Sequence, residues 1–246
     1  VTEFPPPEPP RAALESLVHS RYGVSFVDLG IAYEDLADFD RIAIGKSKDL
    51  NLFGPIADVS DPIAAYLTEI GPNSRAFSEK IGKKIQEIAA EIMAVSEKPC
   101  AWICLRAATP NSQYNLSRWH MDGYYYKSWP EVKIQYKFAI TLVGPSTMFY
   151  PIPCEYGELR NAIWVFMINR QLMHELCSFA QPITVPRGYG AFFIAGDRIR
   201  AAIHSEPRID QTHRLFFSIV SGDATEIAEL KATVDNFYKS NASVNP

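Results

Sequence analysis

The hydrophobic pattern divides the chain into a helical first third and a strand-rich remainder. Pro10 to Val18 reads as a short helix. Ser60-Asp61-Pro62 places a cap residue just before a proline and predicts a helix start leading into Ile63 and Leu67. Phe77, Ile81, Ile85, Ile88, Ile92 and Met93 recur at three- and four-residue spacing, so Ser74 to Ser96 is predicted as one helix with a single apolar face. Glu79, Lys80, Lys83, Lys84 and Glu87 fall off that stripe and read as its solvated side.

After Pro99 the period shortens. Strands are predicted at 101–105, 114–122, 132–143, 147–150, 162–168, 183–185, 190–195, 199–204 and 215–220. Gly and Pro turns separate them, among them Gly144-Pro145-Ser146. Gln171 to Ser178 reads as a helical turn and Asp223 to Tyr238 as a closing helix. Helices followed by many short strands predict an α+β chain built on a β-sandwich or barrel. The expected organisation is one domain over 1–246. It has an extended proline-rich lead-in (1–10), a mainly helical support (11–98), a β-core (99–222) and a C-terminal helix with tail (223–246).

Composition narrows the class. Of 246 residues, 47% are hydrophobic and 21% charged, as expected of a water-soluble domain with a sizeable core. A net charge of −4 argues against a nucleic-acid partner. No apolar run is long enough to span a bilayer, and the PPPEPP lead-in lacks the apolar region of a secretory signal. Cys100, Cys104, Cys154 and Cys177 form no CxxC pair and read as reduced thiols, so a cytoplasmic location is expected.

The chemistry lies in His120-Met121-Asp122, His204 and Arg214. Strand alternation puts Leu116, Arg118, His120 and Asp122 on one face, and Trp119 and Met121 on the other. A buried face carrying Arg, His and Asp needs compensation. An Arg118–Asp122 ion pair would supply it; so would a metal. Two histidines and a carboxylate are the ligand set of the facial triad that holds non-haem Fe(II) and leaves positions open. Arg214, ten residues past His204, offers a guanidinium suited to bidentate carboxylate binding.

This pattern resembles the Fe(II)/2-oxoglutarate-dependent oxygenases. Val185 to Asp197 is similar to the Pro-x-x-Gly turn, apolar strand and Gly-Asp turn that precede the distal histidine in that superfamily. The resemblance covers about Ala101 to Val220. It implies a double-stranded β-helix (jelly-roll, cupin-like) core, with N-terminal supporting helices and a C-terminal helix. His120, Asp122 and His204 would be the metal ligands and catalytic centre, with Fe(II), 2-oxoglutarate and O2 as the cofactor set. Arg214 would anchor the distal carboxylate of 2-oxoglutarate, with Tyr136 as a second candidate there. Arg118 and Tyr124 are candidate substrate-binding residues. The activity implied is oxidation of an unactivated C–H bond, with 2-oxoglutarate decarboxylated to succinate. Asp122 speaks against a halogenase, and Phe216 replaces the serine of the Arg-x-Ser branch. The expected substrate is a small metabolite, such as an amino acid or natural-product intermediate, with no nucleic-acid or membrane partner. A protein or peptide side-chain hydroxylase and a cupin-like metal-binding protein without oxygenase chemistry stay open as alternatives. His19, His174 and His213 are expected to be structural or exposed.

Overall fold

The computed structural model describes residues 5–111, 117–123, 125, 134–167 and 169–242. The largest sheet has six strands in the order β1-β7-β4-β9-β3-β2, all neighbours antiparallel. These are β1 (Val24–Asp28), β2 (Lys48–Gly54), β3 (Cys100–Ala108), β4 (Gln135–Val143), β7 (Tyr189–Ala195) and β9 (Arg214–Gly222). A second, antiparallel sheet holds β5 (Met148–Phe149), β6 (Ile183–Thr184) and β8 (His204–Ser205), in the order β6-β5-β8. The His120 segment adds to its β8 edge through an antiparallel bridge to His204.

Alternation along the large sheet decides what each face meets. Ile103, Leu105, Phe138, Ile140, Phe192, Ile194, Phe217 and Ile219 belong to the core shared with the helices. Those helices are α1 (Pro10–Leu17), α2 (Tyr33–Asp40), α3 (Ser60–Ile70) and α4 (Arg75–Ser96). The intervening residues face the small sheet. There Val24, Phe26, Ala139, Ala191 and Phe193 form a core with Phe149 and Val185. Phe149 packs edge-on against Phe193 with ring centroids 5.6 Å apart.

The stripe of α4 is the packing face that its periodicity predicts: Ile81 and Ile85 are fully buried, and Ile88, Ile92 and Met93 nearly so. Ser74 caps the helix by accepting from the Phe77 N–H at 3.3 Å. Gly82 lets α3 approach, because a Cβ there would lie 2.5 Å from the Ser60 carbonyl oxygen. At the start of α3 no side chain caps the helix; the N-cap is Val59. The closing helix α7 (Ala224–Ala242) carries a reciprocal cap: Asp223 Oδ1 accepts from the Glu226 N–H at 2.9 Å, and Glu226 Oε2 from the Asp223 N–H at 2.7 Å. Among the described residues, no helix is long and apolar enough to cross a membrane.

Several expectations need correction. The first third is not helical throughout, since β1 and β2 supply both edges of the large sheet and Glu8 of the proline-rich lead-in bridges Val27 in parallel. Residues 162–168, read as a strand, lie largely in α5 (Gly157–Phe166). Its buried positions, Arg160 and Ile163, are three apart, and packing on that face overrides the β-propensity of the Ile, Trp, Val and Phe run. Of 199–204, only His204 is in a strand; 198–200 form a turn. α5 is followed by α6 (Arg170–Leu176), where a helical turn is expected. Of the predicted 114–122 strand, 114–116 lie outside the described residues and 117–122 form no strand, only the single bridge at His120; the start of the 132–143 strand also lies outside the described residues.

Candidate metal centre

His120 and His204 sit opposite each other across the bridge that joins their segments, and each N–H donates to the other's carbonyl at 2.9 Å. Their rings lie side by side, with centroids 4.3 Å apart. The Nδ1 of His120 is 2.8 Å from the Arg118 carbonyl oxygen, and that of His204 is 3.0 Å from the Ala202 carbonyl oxygen. A carbonyl only accepts, so each Nδ1 carries the proton. In the neutral ring this leaves the lone pair on Nε2. Both Nε2 atoms lie 3.7 Å from Asp122 Oδ1. The three candidate ligand atoms fall within 4.8 Å of one another. Trp119 and Met121 are buried on the opposite side, against Tyr150 and Ile163, as alternation requires.

The other carboxylate oxygen is already engaged. Asp122 Oδ2 accepts from the Tyr125 hydroxyl at 2.5 Å and from Lys137 Nζ at 3.3 Å. Burial works against the charged carboxylate, but Lys137, His204, His120 and the Tyr125 hydroxyl outweigh it and hold Asp122 well below the usual carboxylate range. Burial, aided by neighbouring His120, lowers His204 to about 4. At neutral pH the centre therefore presents an ionised carboxylate and a neutral His204, the forms that bind a cation. The arrangement fits a divalent metal through two imidazole nitrogens and one carboxylate oxygen, with the remaining directions opening into a cavity of about 240 Å³.

Arg214 lines the same cavity and is 3% exposed. Its Nε donates to the Pro145 carbonyl at 3.1 Å and one terminal nitrogen to the Thr141 and Thr147 hydroxyls at 3.3 and 2.9 Å. The guanidinium lies 4.8 Å from the Phe216 ring centroid. Neutral oxygens hold this buried cation. Burial lowers it to about 10, with Glu206 pulling the other way.

The remaining expected residues divide. Arg118 lines the cavity, but its guanidinium forks onto Glu206, with Nε 3.1 Å from Oε2; the expected alternative pair with Asp122 is not the one formed. Burial raises the Glu206 carboxyl, but His120 and Arg118 outweigh this and bring it to about 2. Tyr136 does not reach the cavity. It lies on the helical face of β4, edge-on to Phe192 at 5.9 Å, because alternation turns the neighbouring Lys137 inward instead. Tyr124 lies outside the described residues. His19, His174 and His213 are exposed and outside the site.

Sequence reasoning missed Lys137 and Glu206. Each carried a signal: Lys137 is a lone cation in the apolar run Ile134 to Val143, and Glu206 follows His204 at the strand period of two.

No protein-family model matches the chain, and no curated protein matches it. The chain is structurally similar to several solved proteins. One is the rice dioxygenase for auxin oxidation, with 9% identity over 85% of this chain and 78% of that chain and a TM-score of 0.45. Another is dioxygenase for auxin oxidation 1 from Arabidopsis thaliana with 2-oxoglutarate, with 9% identity, 89% and 94% coverage and a TM-score of 0.45. A third is the non-heme alpha-ketoglutarate-dependent carbocyclase SnoK from nogalamycin biosynthesis, with 11% identity, 89% and 88% coverage and a TM-score of 0.46.

Proposed function

We propose that the protein is a non-haem Fe(II)/2-oxoglutarate-dependent dioxygenase that oxidises an unactivated C–H bond of a small metabolite. The observation that carries this reading is the convergence of His120, Asp122 and His204, with both Nε2 atoms turned to one carboxylate oxygen. A simple metal-binding barrel accounts for the triad but not for Arg214, a buried cation on the same cavity wall held by neutral oxygens. A dicarboxylate co-substrate accounts for both. The two antiparallel sheets with their helical cover support assigning the core to a double-stranded β-helix within a single domain.

In this reading His120 Nε2, Asp122 Oδ1 and His204 Nε2 hold the iron. Arg214 and the Thr147 hydroxyl receive the distal carboxylate of 2-oxoglutarate. When bound, iron and 2-oxoglutarate supply the oxidising chemistry with O2, releasing succinate and carbon dioxide. The protein's share is positional. The Arg118 and Ala202 carbonyls fix the two imidazoles, and the Tyr125 hydroxyl fixes the carboxylate. Phe193, Phe216 and Trp102 supply apolar wall. The cavity of about 240 Å³ is on the scale of small molecules rather than of a folded partner.

Succinate formation tests the reading without knowledge of the substrate. Fe(II)-loaded protein in air is expected to convert 2-oxoglutarate slowly to succinate, and the Asp122→Ala variant to lose this. Iron-independent turnover, or none in the parent protein together with no 2-oxoglutarate binding, overturns it.

A further inference from the structure

Among the described residues, Lys137 is the cation nearest the triad carboxylate. It projects from β4 between Phe193 and Phe216, with Nζ 5.8 Å from each ring centroid, and its side chain is only 14% exposed. Among the described residues its carboxylate partner is Asp122, bound through Oδ2 at 3.3 Å. The other oxygen of that carboxylate faces both histidine Nε2 atoms at 3.7 Å.

We propose that Lys137 couples metal binding at the triad to anion binding in the same cavity. The inference rests on reading the triad as a divalent-metal site. A metal takes imidazole through its lone pair as a neutral ligand, so two imidazoles and one carboxylate contribute a charge of −1, and the Lys137 ammonium brings that sum to zero. A dication approaching Oδ1 therefore meets a neutral centre and a buried ammonium behind its only anionic ligand. Between apolar walls this repulsion is poorly screened. Lys137 thus opposes the metal alone. A carboxylate entering the cavity gives the ammonium a second anionic partner and restores the negative charge that the dication needs. Metal and carboxylate then each tighten the other, as linkage requires. The ligand class is a small carboxylate, and 2-oxoglutarate is the probe. Tyr125 donates to the same Oδ2 without a charge, so it orients Asp122 but does not take part in the coupling.

Co(II) titration of the full chain, with and without 2-oxoglutarate, tests this for the parent protein and for Lys137→Gln, Lys137→Met, Lys137→Arg and Tyr125→Phe. Both neutral Lys137 variants are expected to bind Co(II) alone at least about tenfold tighter than the parent. In both, 2-oxoglutarate should tighten Co(II) less than in the parent. Lys137→Arg should keep the parent's behaviour, and Tyr125→Phe should move affinity less than either neutral variant. Damage to the fold would weaken the metal, so the expected gain separates a charge effect from a structural one. Lys137→Gln keeps a hydrogen-bond donor and protects the test against misfolding of Lys137→Met. Equal or weaker Co(II) binding in both neutral variants overturns the proposal while leaving the metal site standing. Failure of the parent protein to bind Co(II) overturns the metal site and the proposal together.

Discussion

His120 and His204 are held in one geometry by two matching devices: a reciprocal pair of 2.9 Å backbone hydrogen bonds, and in each ring an Nδ1 bonded to the carbonyl two residues earlier. Two ligands more than eighty positions apart in sequence are thereby aimed at the same carboxylate oxygen. Replacing His204 or Asp122 by alanine is expected to weaken Co(II) binding by at least about 100-fold, more than the 10- to 100-fold typical of losing an outer partner. Calorimetric titration reads this directly. Parent-like affinity in either variant would remove that residue from the centre.

Arg214 is expected to act on the co-substrate and not on the metal. The Arg214→Met variant should bind 2-oxoglutarate at least about 100-fold more weakly, consistent with the ~3–5 kcal/mol lost when one side of a buried charge pair is removed. Its Co(II) affinity in the absence of 2-oxoglutarate should stay within about threefold. A variant that loses metal and 2-oxoglutarate equally would point to collapse of the cavity wall instead.

Arg160 links α5 to the distal histidine. It is fully buried, and its guanidinium donates to the carbonyls of Ile152, Ile199 and Ala201. Ala202, whose carbonyl orients the His204 ring, is the next residue. Arg160→Met leaves the buried Ile152 and Ala201 carbonyls without this donor, at about 1–3 kcal/mol each. The expected outcome is a loss of roughly 3 kcal/mol or more in urea unfolding, with weaker Co(II) binding in the surviving folded fraction. Unchanged stability would show that the turn holds itself.

Cys177 gives the pH dependence a defined sign. Burial raises its thiol to about 12. The native state therefore keeps a proton that the unfolded chain releases near its ordinary pKa of 9.0. Stability from this group is fully present below pH 9 and is lost as pH rises towards 12. Urea unfolding between pH 8 and 10.5 should show a downward slope that Cys177→Ala reduces by about one proton. Identical slopes in the two proteins would contradict this.

The parts legible in the sequence are those set by local periodicity. The α4 stripe and the Gly-turn strand before His204 each follow the pattern of one element, and the His120–Asp122 segment, although only bridged at His120, keeps both ligands on one side. What escaped depends on contacts between distant segments. β1 and β2 are short edge strands whose pairing with β7 and β3 has no local signature. The run from Ala162 to Phe166 looks like a strand until its buried face is known. Tyr136 and Lys137 are adjacent, and only the packing of helices on one side of β4 decides which side chain meets Asp122. Glu206 shares the strand period with His204, but its partner, Arg118, lies 88 residues earlier and is set by the fold.

The central claim is that one cavity binds Fe(II) and 2-oxoglutarate together. Anaerobic titration of the protein with Fe(II) and then 2-oxoglutarate, followed by visible absorbance, tests it most directly. The account predicts a weak charge-transfer band that needs both ligands, saturates at one equivalent of each and disappears in the Asp122→Ala variant. A protein that binds Fe(II) but shows no band and no heat of binding with 2-oxoglutarate would contradict it.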